Sequence, residues 1–389
     1  MQIEHVELDF VQLPLKAPFQ TSFGTDVVKS TWVVTVLAEG IRGYAESVAD
    51  VEPLYNEETH ASEYFCWKNS VLPRLAGQEI DTPEQVDRLL EPVRGNRMAK
   101  AAIEMAIWDW FARSQELPLW KLLGGDARRS RIPVGVSIGI QPSANELIAA
   151  GLAYLDQGYR RLKVKIKPGL DVAPLTALRE AVGPDVLIMA DANSAYQLRD
   201  IDTLKALEPL NLMMLEQPLA EDDMIDHAAL ARELTIPICL DEAIRSDEDA
   251  RKALELGACR IINIKVGRVG GHSVARRVHD VAARHQAPVW CGGMLETGIG
   301  RAHNLHLSTL PNFLLPGDTS ASDRYFAEDL IDPPFQLNAD GTLTVPTGPG
   351  IGVTPNTERL KRFSTHHESW QVGQRWIGGG IPHGDPTSF

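Results

Sequence analysis

The sequence has few cysteines, no long apolar run and a deficit of basic residues. Its four cysteines, Cys66, Cys239, Cys259 and Cys291, are scattered with neither paired nor metal-ligand spacing, which argues against a disulfide framework or a cysteine-held ion. No segment resembles a signal peptide, so the expectation is a reduced, cytoplasmic protein. No stretch approaches the roughly 20 apolar residues that a membrane span requires. The 38 Lys and Arg are outnumbered by 52 Asp and Glu, for a net charge of −14. That balance excludes the basic surface which nucleic acid or an anionic membrane would need. A small-molecule partner is what remains.

What is present is enough for a large core. Hydrophobic residues make up 44% of the 389 and charged residues 23%, the proportions of an ordinary globular protein. The length suits one barrel of about 250 residues together with a smaller domain.

The chain opens with alternation in Val6-Glu7-Leu8-Asp9-Phe10 and continues with a β-rich run at Trp32-Val33-Val34-Thr35-Val36-Leu37, two antiparallel strand candidates. From about Asn96 to Gln115 an Ala- and Met-rich helix carries Ala102, Met105, Ala106 and Trp108. Residues 1–128 therefore read as a small α+β domain. Short apolar strands then alternate with amphipathic helices, the signature of parallel βα units. Eight strand candidates centre on Val134–Ser137, Leu162–Lys165, Leu187–Met189, Leu212–Leu215, Ile238–Leu240, Ile261–Ile264, Val289–Cys291 and, more weakly, Phe313–Leu315. Ser246 with Asp249 forms a capping box, Gly257 offers a helix stop, and Val274, Val278, Val281 and Ala282 share one apolar face. A barrel is the economical reading over residues 129–320; a doubly wound open sheet has the same texture, and periodicity does not separate them. From Ser320 the rhythm is lost, and residues 321–389 read as a segment returning to the first domain, with a loosely ordered tail from about Gln371.

Five consecutive strand candidates end on a charge: Lys165, Asp191, Glu216, Asp241 and Lys265, separated by 26, 25, 25 and 24 residues. One βα step advances the chain by one strand, so constant spacing places these residues side by side at one mouth of a barrel. Adjacent buried carboxylates are prohibitively costly unless a cation neutralises them. An all-oxygen set of Asp191, Glu216 and Asp241 suits Mg²⁺ or Mn²⁺ rather than Zn²⁺. Lys163 and Lys165, two apart on one strand, share its inner face, and Lys265 enters from across the metal. A lysine base needs a depressed pKa, which burial and cationic neighbours supply. Lys163 beside Lys165, and Arg268 near Lys265, are the candidates for that tuning. Singly, Asp191 or Asp241 is as readily a helix N-cap and Lys165 a solvent-seeking side chain; the set together favours chemistry. A metal-held carboxylate with an acidified α-hydrogen and a lysine on each face is a proton-transfer site.

Gly267, Gly270 and Gly271 fail the dinucleotide spacing and read as turn residues at close approaches. His303 and His306, lacking a third partner, read as surface or capping residues without assigned function. Phe19-Gln20-Thr21-Ser22-Phe23-Gly24 is a loop for which core packing and a lid over substrate weigh equally.

The motifs Ala101–Asp109, Lys163-Val164-Lys165, Asp191-Ala192-Asn193, Leu215-Glu216-Gln217-Pro218, Leu240-Asp241-Glu242 and Asn263-Ile264-Lys265 resemble the enolase superfamily, over nearly the whole chain to about Ser369. Two lysines in place of a Lys/His pair resemble its muconate-lactonizing subgroup. Gly267–Gly271 and Cys291–Gly300 resemble the N-acylamino acid (N-succinylamino acid) racemase / o-succinylbenzoate synthase family. The resemblance implies a (β/α)7β modified TIM barrel under an α+β capping domain built from both ends of the chain. It implies Mg²⁺, replaceable by Mn²⁺ or another divalent ion, on Asp191, Glu216 and Asp241, with Lys165 and Lys265 as acid/base residues. Lys163, Ser137, Asn193, Gly293 and Met294 would line the substrate site, with Phe19, Phe23 and Tyr55 on capping loops that set specificity. Val266 stands where many relatives have proline. Arg268 is associated with the racemase branch, so racemisation of N-acylated, N-succinylated α-amino acids ranks first. Dehydration to o-succinylbenzoate in menaquinone biosynthesis ranks second, as an alternative or coexisting activity, and dipeptide epimerisation third. A catalytically silent barrel predicts a damaged catalytic position, and none is damaged. A homo-oligomer, dimer or octamer, is consistent with the family.

Overall fold

A computed structural model describes residues 1–372; the expectation for the tail beyond Val372 lies outside the described residues. The first three strands, β1 (His5–Gln20), β2 (Thr25–Ala38) and β3 (Ile41–Glu46), form an antiparallel meander. On β1, Val6 and Leu8 are buried in one core and Val11 and Leu13, which point to the opposite face, in another, so each face of the strand is covered along part of its length. The Arg97–Ser114 helix supplies part of that cover, and its small residues let it press close. A Cβ on Gly43 would come within 2.1 Å of the Ala106 carbonyl oxygen. Asp109 stitches helix to sheet by accepting from the Tyr44 amide at 2.8 Å. Helical segments over residues 60–75 and 84–90 complete this layer and were not foreseen; a π-helical stretch at Trp67–Val71 and Pro73 break the 3.6-residue period that would have marked the first.

A short strand, β4 (Arg131–Pro133), leads into seven parallel strands: β5 (Val136–Ile138), β6 (Arg161–Lys165), β7 (Leu187–Asp191), β8 (Leu215–Glu216), β9 (Ile238–Leu240), β10 (Ile261–Ile264) and β11 (Val289–Cys291). They neighbour one another in strict chain order, which a doubly wound sheet does not do. The ring closes through residues 312–318 rather than through a regular eighth strand. Phe313 bridges to Val289, Gly317 bridges to Val134, and the Asp318 amide donates to the Cys291 carbonyl at 2.8 Å. Pro311 precedes this segment and Pro316 interrupts it, and neither can donate to a ladder, which accounts for its irregularity. The fold is thus a curled parallel barrel beneath a capping layer.

Local signals behave largely as expected. The Ser246 hydroxyl accepts from the Asp249 amide at 3.1 Å, but the Asp249 carboxylate takes the Arg245 amide instead of closing the box. Gly257 ends its helix at φ 72°, and Val274, Val278, Val281 and Ala282 are buried. After the barrel, β12 (Thr342–Thr344) pairs with β4, and β13 (Ser364–Gln371) pairs antiparallel with β1, giving a capping sheet of order β13-β1-β2-β3. Glu46, at the end of β3, fastens cap to barrel by accepting from the Thr297 and Gly300 amides at 2.9 and 3.0 Å. The four cysteines are buried and unpaired, and among the described residues no helix is long and apolar enough to cross a membrane.

Candidate active site

Every strand-end charge read from the spacing lies at the C-terminal mouth of the barrel, where βα loops build sites. Lys165 and Asp191 are the last residues of β6 and β7, Glu216 ends β8, and Asp241 and Lys265 follow β9 and β10 directly. In a ring of eight positions β6 and β10 are four apart, so Lys165 and Lys265 face each other across the opening.

Arg161, Lys163 and Lys165 alternate along β6 and share its inner face. The Lys163 ammonium sits between three carboxylates, 2.8 Å from Asp191, 2.6 Å from Glu216 and 3.0 Å from Asp318. Burial works against its charge, but those three anions hold its pKa well above the ordinary lysine value. Lys165 lies 2.6 Å from both Asp191 and the Asn193 side-chain oxygen. Burial, with the nearby charges of Lys163 and Lys265, depresses its pKa despite Asp191. The expected depression is thus found at Lys165.

At Lys265 the expectation fails. Burial again lowers its pKa, but the phenol of Tyr55 and the carboxylates of Glu242 and Glu216 outweigh it, and the net shift is upward. Lys265 lies 2.8 Å from Asp241 and 3.1 Å from the Tyr55 hydroxyl. Arg268 does not oppose this charge through contact with the ammonium. Its guanidinium pairs with Asp241 and donates to the Ile244 and Asn263 carbonyls at 2.9 and 2.6 Å.

The three carboxylates expected to grip one ion are all fully buried. They do not converge as anticipated: among the described residues no three His, Cys, Asp or Glu side chains are grouped so as to hold a metal ion. Lys163 bridges Asp191 and Glu216, while Lys265 and Arg268 draw Asp241 aside. The donor set nevertheless fits a hard divalent ion in its chemistry, being three carboxylates carried at the ends of the neighbouring strands β7, β8 and β9. Among the described residues Glu216 Oε2 has no polar partner beyond the Lys163 ammonium at 2.6 Å. Burial and the charge of Asp191 raise the pKa of Glu216, whereas Lys163 and Lys165 overcome burial to depress that of Asp191.

Above these groups one cavity is lined by Lys163, Lys165 and Lys265 and by every residue expected to contact substrate: Ser137, Asn193, Gly293, Met294, Phe19, Phe23 and Tyr55. Phe19 is buried and packs edge-on against Tyr325 at 5.8 Å, in line with core packing, while also forming part of the wall. The turn between β1 and β2 is closed by Thr21 and Gly24, and its Ser22 hydroxyl donates to the Asn193 carbonyl at 3.3 Å. Asn193, at φ 41°, donates in turn to Glu242 at 2.7 Å, whose pKa burial and Asp191 push up to about 7.

Several members of the site were not anticipated. Asp318 pairs with Arg161 at 2.6 Å and accepts from Ser137 at 3.3 Å. Asn263 donates to Glu216 at 2.7 Å, and only a glycine fits at 292, where a Cβ would meet the Asn263 amide at 2.4 Å. Gln217 accepts the amides of Asp241 and Ala243 at 3.0 and 3.2 Å, shaping the loop that presents Asp241. Glu296, Arg301, Asp26 and Asp50 also line the wall.

The glycines after β10 allow close approaches, as read. A Cβ on Gly267 would strike Val48 at 2.2 Å, and one on Gly271 would strike the Glu104 carboxylate at 2.3 Å. Glu104 occupies the helix N-terminus that a phosphate would otherwise favour, accepting from the His272 and Ser273 amides at 2.8 and 2.9 Å. His303 and His306 are not on the surface. Both are fully buried, with His303 between His272 and the Tyr44 carbonyl.

Residues 5–124 match the mandelate racemase / muconate lactonizing enzyme N-terminal domain, and residues 146–359 match the enolase C-terminal domain-like family. An o-succinylbenzoate synthase from Geobacillus stearothermophilus is 50% identical over 94% of this chain and 96% of its own. An N-succinylamino acid racemase from Thermus thermophilus is 48% identical over 92% and 97%. The solved structure of an enolase superfamily member from Listeria innocua superposes with a TM-score of 0.92 at 44% identity, covering 96% of this chain and 100% of that one.

Proposed function

Since this chain belongs to the enolase superfamily, with the mandelate racemase / muconate lactonizing enzyme domain pair, we propose that it is an enzyme racemising N-acylated, N-succinylated α-amino acids by proton transfer between two lysines. The observation that carries the reading is the placement of Lys165 and Lys265 on opposite sides of one cavity, four strand positions apart. A carbon held between them has a lysine on each face.

In one direction Lys165, its pKa depressed, takes the α-hydrogen as a proton while the C–H electron pair passes into the substrate carboxylate. Lys265, held as an ammonium, returns a proton to the opposite face. The reverse direction exchanges the roles. Asp191, Glu216 and Asp241 are the residues that would hold a divalent ion, which when bound lowers the cost of negative charge on the substrate carboxylate. Lys163 adds a fixed positive charge at the same end of the cavity, and its three carboxylate partners keep it from acting as a base. Phe19, Phe23 and Met294 supply apolar wall against bulk water, and Ser137 and Asn193 offer polar contacts.

A second reading, dehydration to o-succinylbenzoate, is supported by the similarity to a synthase and by a geometry in which Lys165 alone can serve as base and then acid. The test is proton NMR in D₂O with both enantiomers of an N-succinylamino acid and Mg²⁺. Loss of the α-hydrogen signal from each is expected, and no exchange from either removes the racemase reading. Loss of the cyclohexadiene absorbance of the synthase substrate tests the second activity separately.

A further inference from the structure

Tyr55 stands on a loop over residues 50–59 whose ends are tied together. Asp50 and Thr59 form a bridge, and the His60 amide donates to the Asp50 carbonyl at 3.0 Å. Glu58 anchors the loop to the first turn of the Arg97–Ser114 helix, accepting from the Met98 and Ala99 amides at 2.9 and 3.0 Å. From this base the Tyr55 hydroxyl reaches 3.1 Å from the Lys265 ammonium and 3.3 and 3.4 Å from the two Asp241 oxygens. The ammonium also lies 4.4 Å from the centre of the phenol ring. Hydroxyl and ring thus both address the Lys265 ammonium, the hydroxyl accepting from Lys265 and, more distantly at 3.5 Å, from Arg268, and donating to Asp241.

Among the described residues Lys165 has no counterpart to this contact: its partners there are Asp191 and Asn193, both barrel residues. A lysine side chain has four rotatable bonds, and one carboxylate leaves the ammonium free to swing about it; a second acceptor and a ring face remove that freedom. Misplacing a proton-transfer group by about 1 Å is kinetically expensive. Resting on the racemase reading, we propose that Tyr55 is a positioning residue for Lys265 alone, so that the capping loop sets one of the two proton-transfer hands while leaving the other to the barrel.

The experiment measures α-hydrogen exchange of the two substrate enantiomers separately, in D₂O, with the Mg²⁺-loaded full chain. Lys265→Ala first identifies the enantiomer whose hydrogen faces Lys265, as the one whose exchange it abolishes. Tyr55→Phe is then expected to lower kcat for that enantiomer roughly three- to tenfold, the kinetic weight of one hydrogen bond, with its KM little changed. Exchange of the other enantiomer falls less, by at least about threefold in the ratio of the two losses, because Tyr55→Phe keeps the ring that lines the cavity and the loss of the hydroxyl's bond to Asp241 weighs on both enantiomers alike. Tyr55→Leu, which also removes the ring, widens the ratio further. Because both rates come from one sample, the ratio is independent of the folded fraction, even where a variant is less stable. Equal loss for both enantiomers, or an unchanged ratio, overturns the proposal. Absence of exchange from both enantiomers in the unaltered enzyme is a different result, which removes the racemase reading and the proposal with it.

Discussion

Arg161 and Asp318 form a buried ion pair of 2.6 Å that joins the second barrel strand to the segment closing the ring. The guanidinium also donates to the Pro316 and Gly317 carbonyls at 2.9 and 2.7 Å, taking the place of the ladder bonds that an irregular segment interrupted by a proline cannot make. Gly135 makes room for it, since a Cβ there would meet the Arg161 side chain at 2.4 Å. Asp318→Asn leaves Arg161 and Lys163 short of one negative charge in a buried setting. A loss of about 3–5 kcal/mol is expected, seen as a lower urea midpoint at unchanged slope. A variant as stable as the parent would show that the pair does not hold the barrel closed.

The two lysines predict asymmetric half-reactions. Lys165→Ala and Lys265→Ala each abolish racemisation, yet each retains exchange of the one enantiomer that faces the surviving lysine, because removing and returning a proton on one face needs a single base. Chiral chromatography alongside NMR reads both quantities. If both variants lost exchange of the same enantiomer, the lysines would not lie on opposite faces of the substrate.

A divalent ion should stabilise the fold as well as activate it. Three buried carboxylates are compensated by Lys163, Lys265 and Arg268, and an ion that binds only the folded state adds about 2.7 kcal/mol at a hundredfold excess over Kd. Mg²⁺ or Mn²⁺ is expected to raise Tm, and Glu216→Gln to weaken that response. A melting temperature indifferent to both ions would argue against Asp191, Glu216 and Asp241 as ligands.

Glu63 gives a stability prediction away from the site. Burial pushes its carboxyl up to about 8, against an ordinary value of 4.5, despite a 2.5 Å hydrogen bond from Ser47 and the charge of Lys29. Between those values the unfolded chain has released a proton that the folded chain keeps, so stability falls as pH rises through the window and levels off above it. Glu63→Gln keeps an acceptor for Ser47 and removes the titration. Relative to the parent it should gain at least ~1 kcal/mol between pH 5 and pH 8.5, by urea unfolding at the two pH values. Parallel pH profiles would contradict a raised Glu63.

The metal and lysine candidates were legible because each rides on a repeated unit: a strand ends, and the residue there faces the mouth. The same rule reaches Arg161, two residues before Lys163, and Asn263, two before Lys265, had the alternation been followed backward along each strand. Asp318 escaped because its segment is broken by Pro311 and Pro316 and lacks strand periodicity. Asp50, Glu296 and Tyr325 sit on loops, where neighbours in space share no spacing in sequence, and Asp26 lies at the exposed start of β2, where no burial pattern marks it. The bridging position of Lys163 was also hidden, since spacing tells which charges meet but not which partner each chooses. His303 and His306 misled for a related reason: polar residues on a helix read as exposed until a second helix and a sheet bury them.

The pairing of β13 with β1 has a consequence for how the protein is made. The sheet carrying both capping loops contains the earliest strand and one of the last, separated by the entire barrel. A nascent chain can assemble its βα units in order as they leave the ribosome, but one edge of β1 stays bare until residue 371 emerges. Translation therefore delivers the barrel first and the finished cap last.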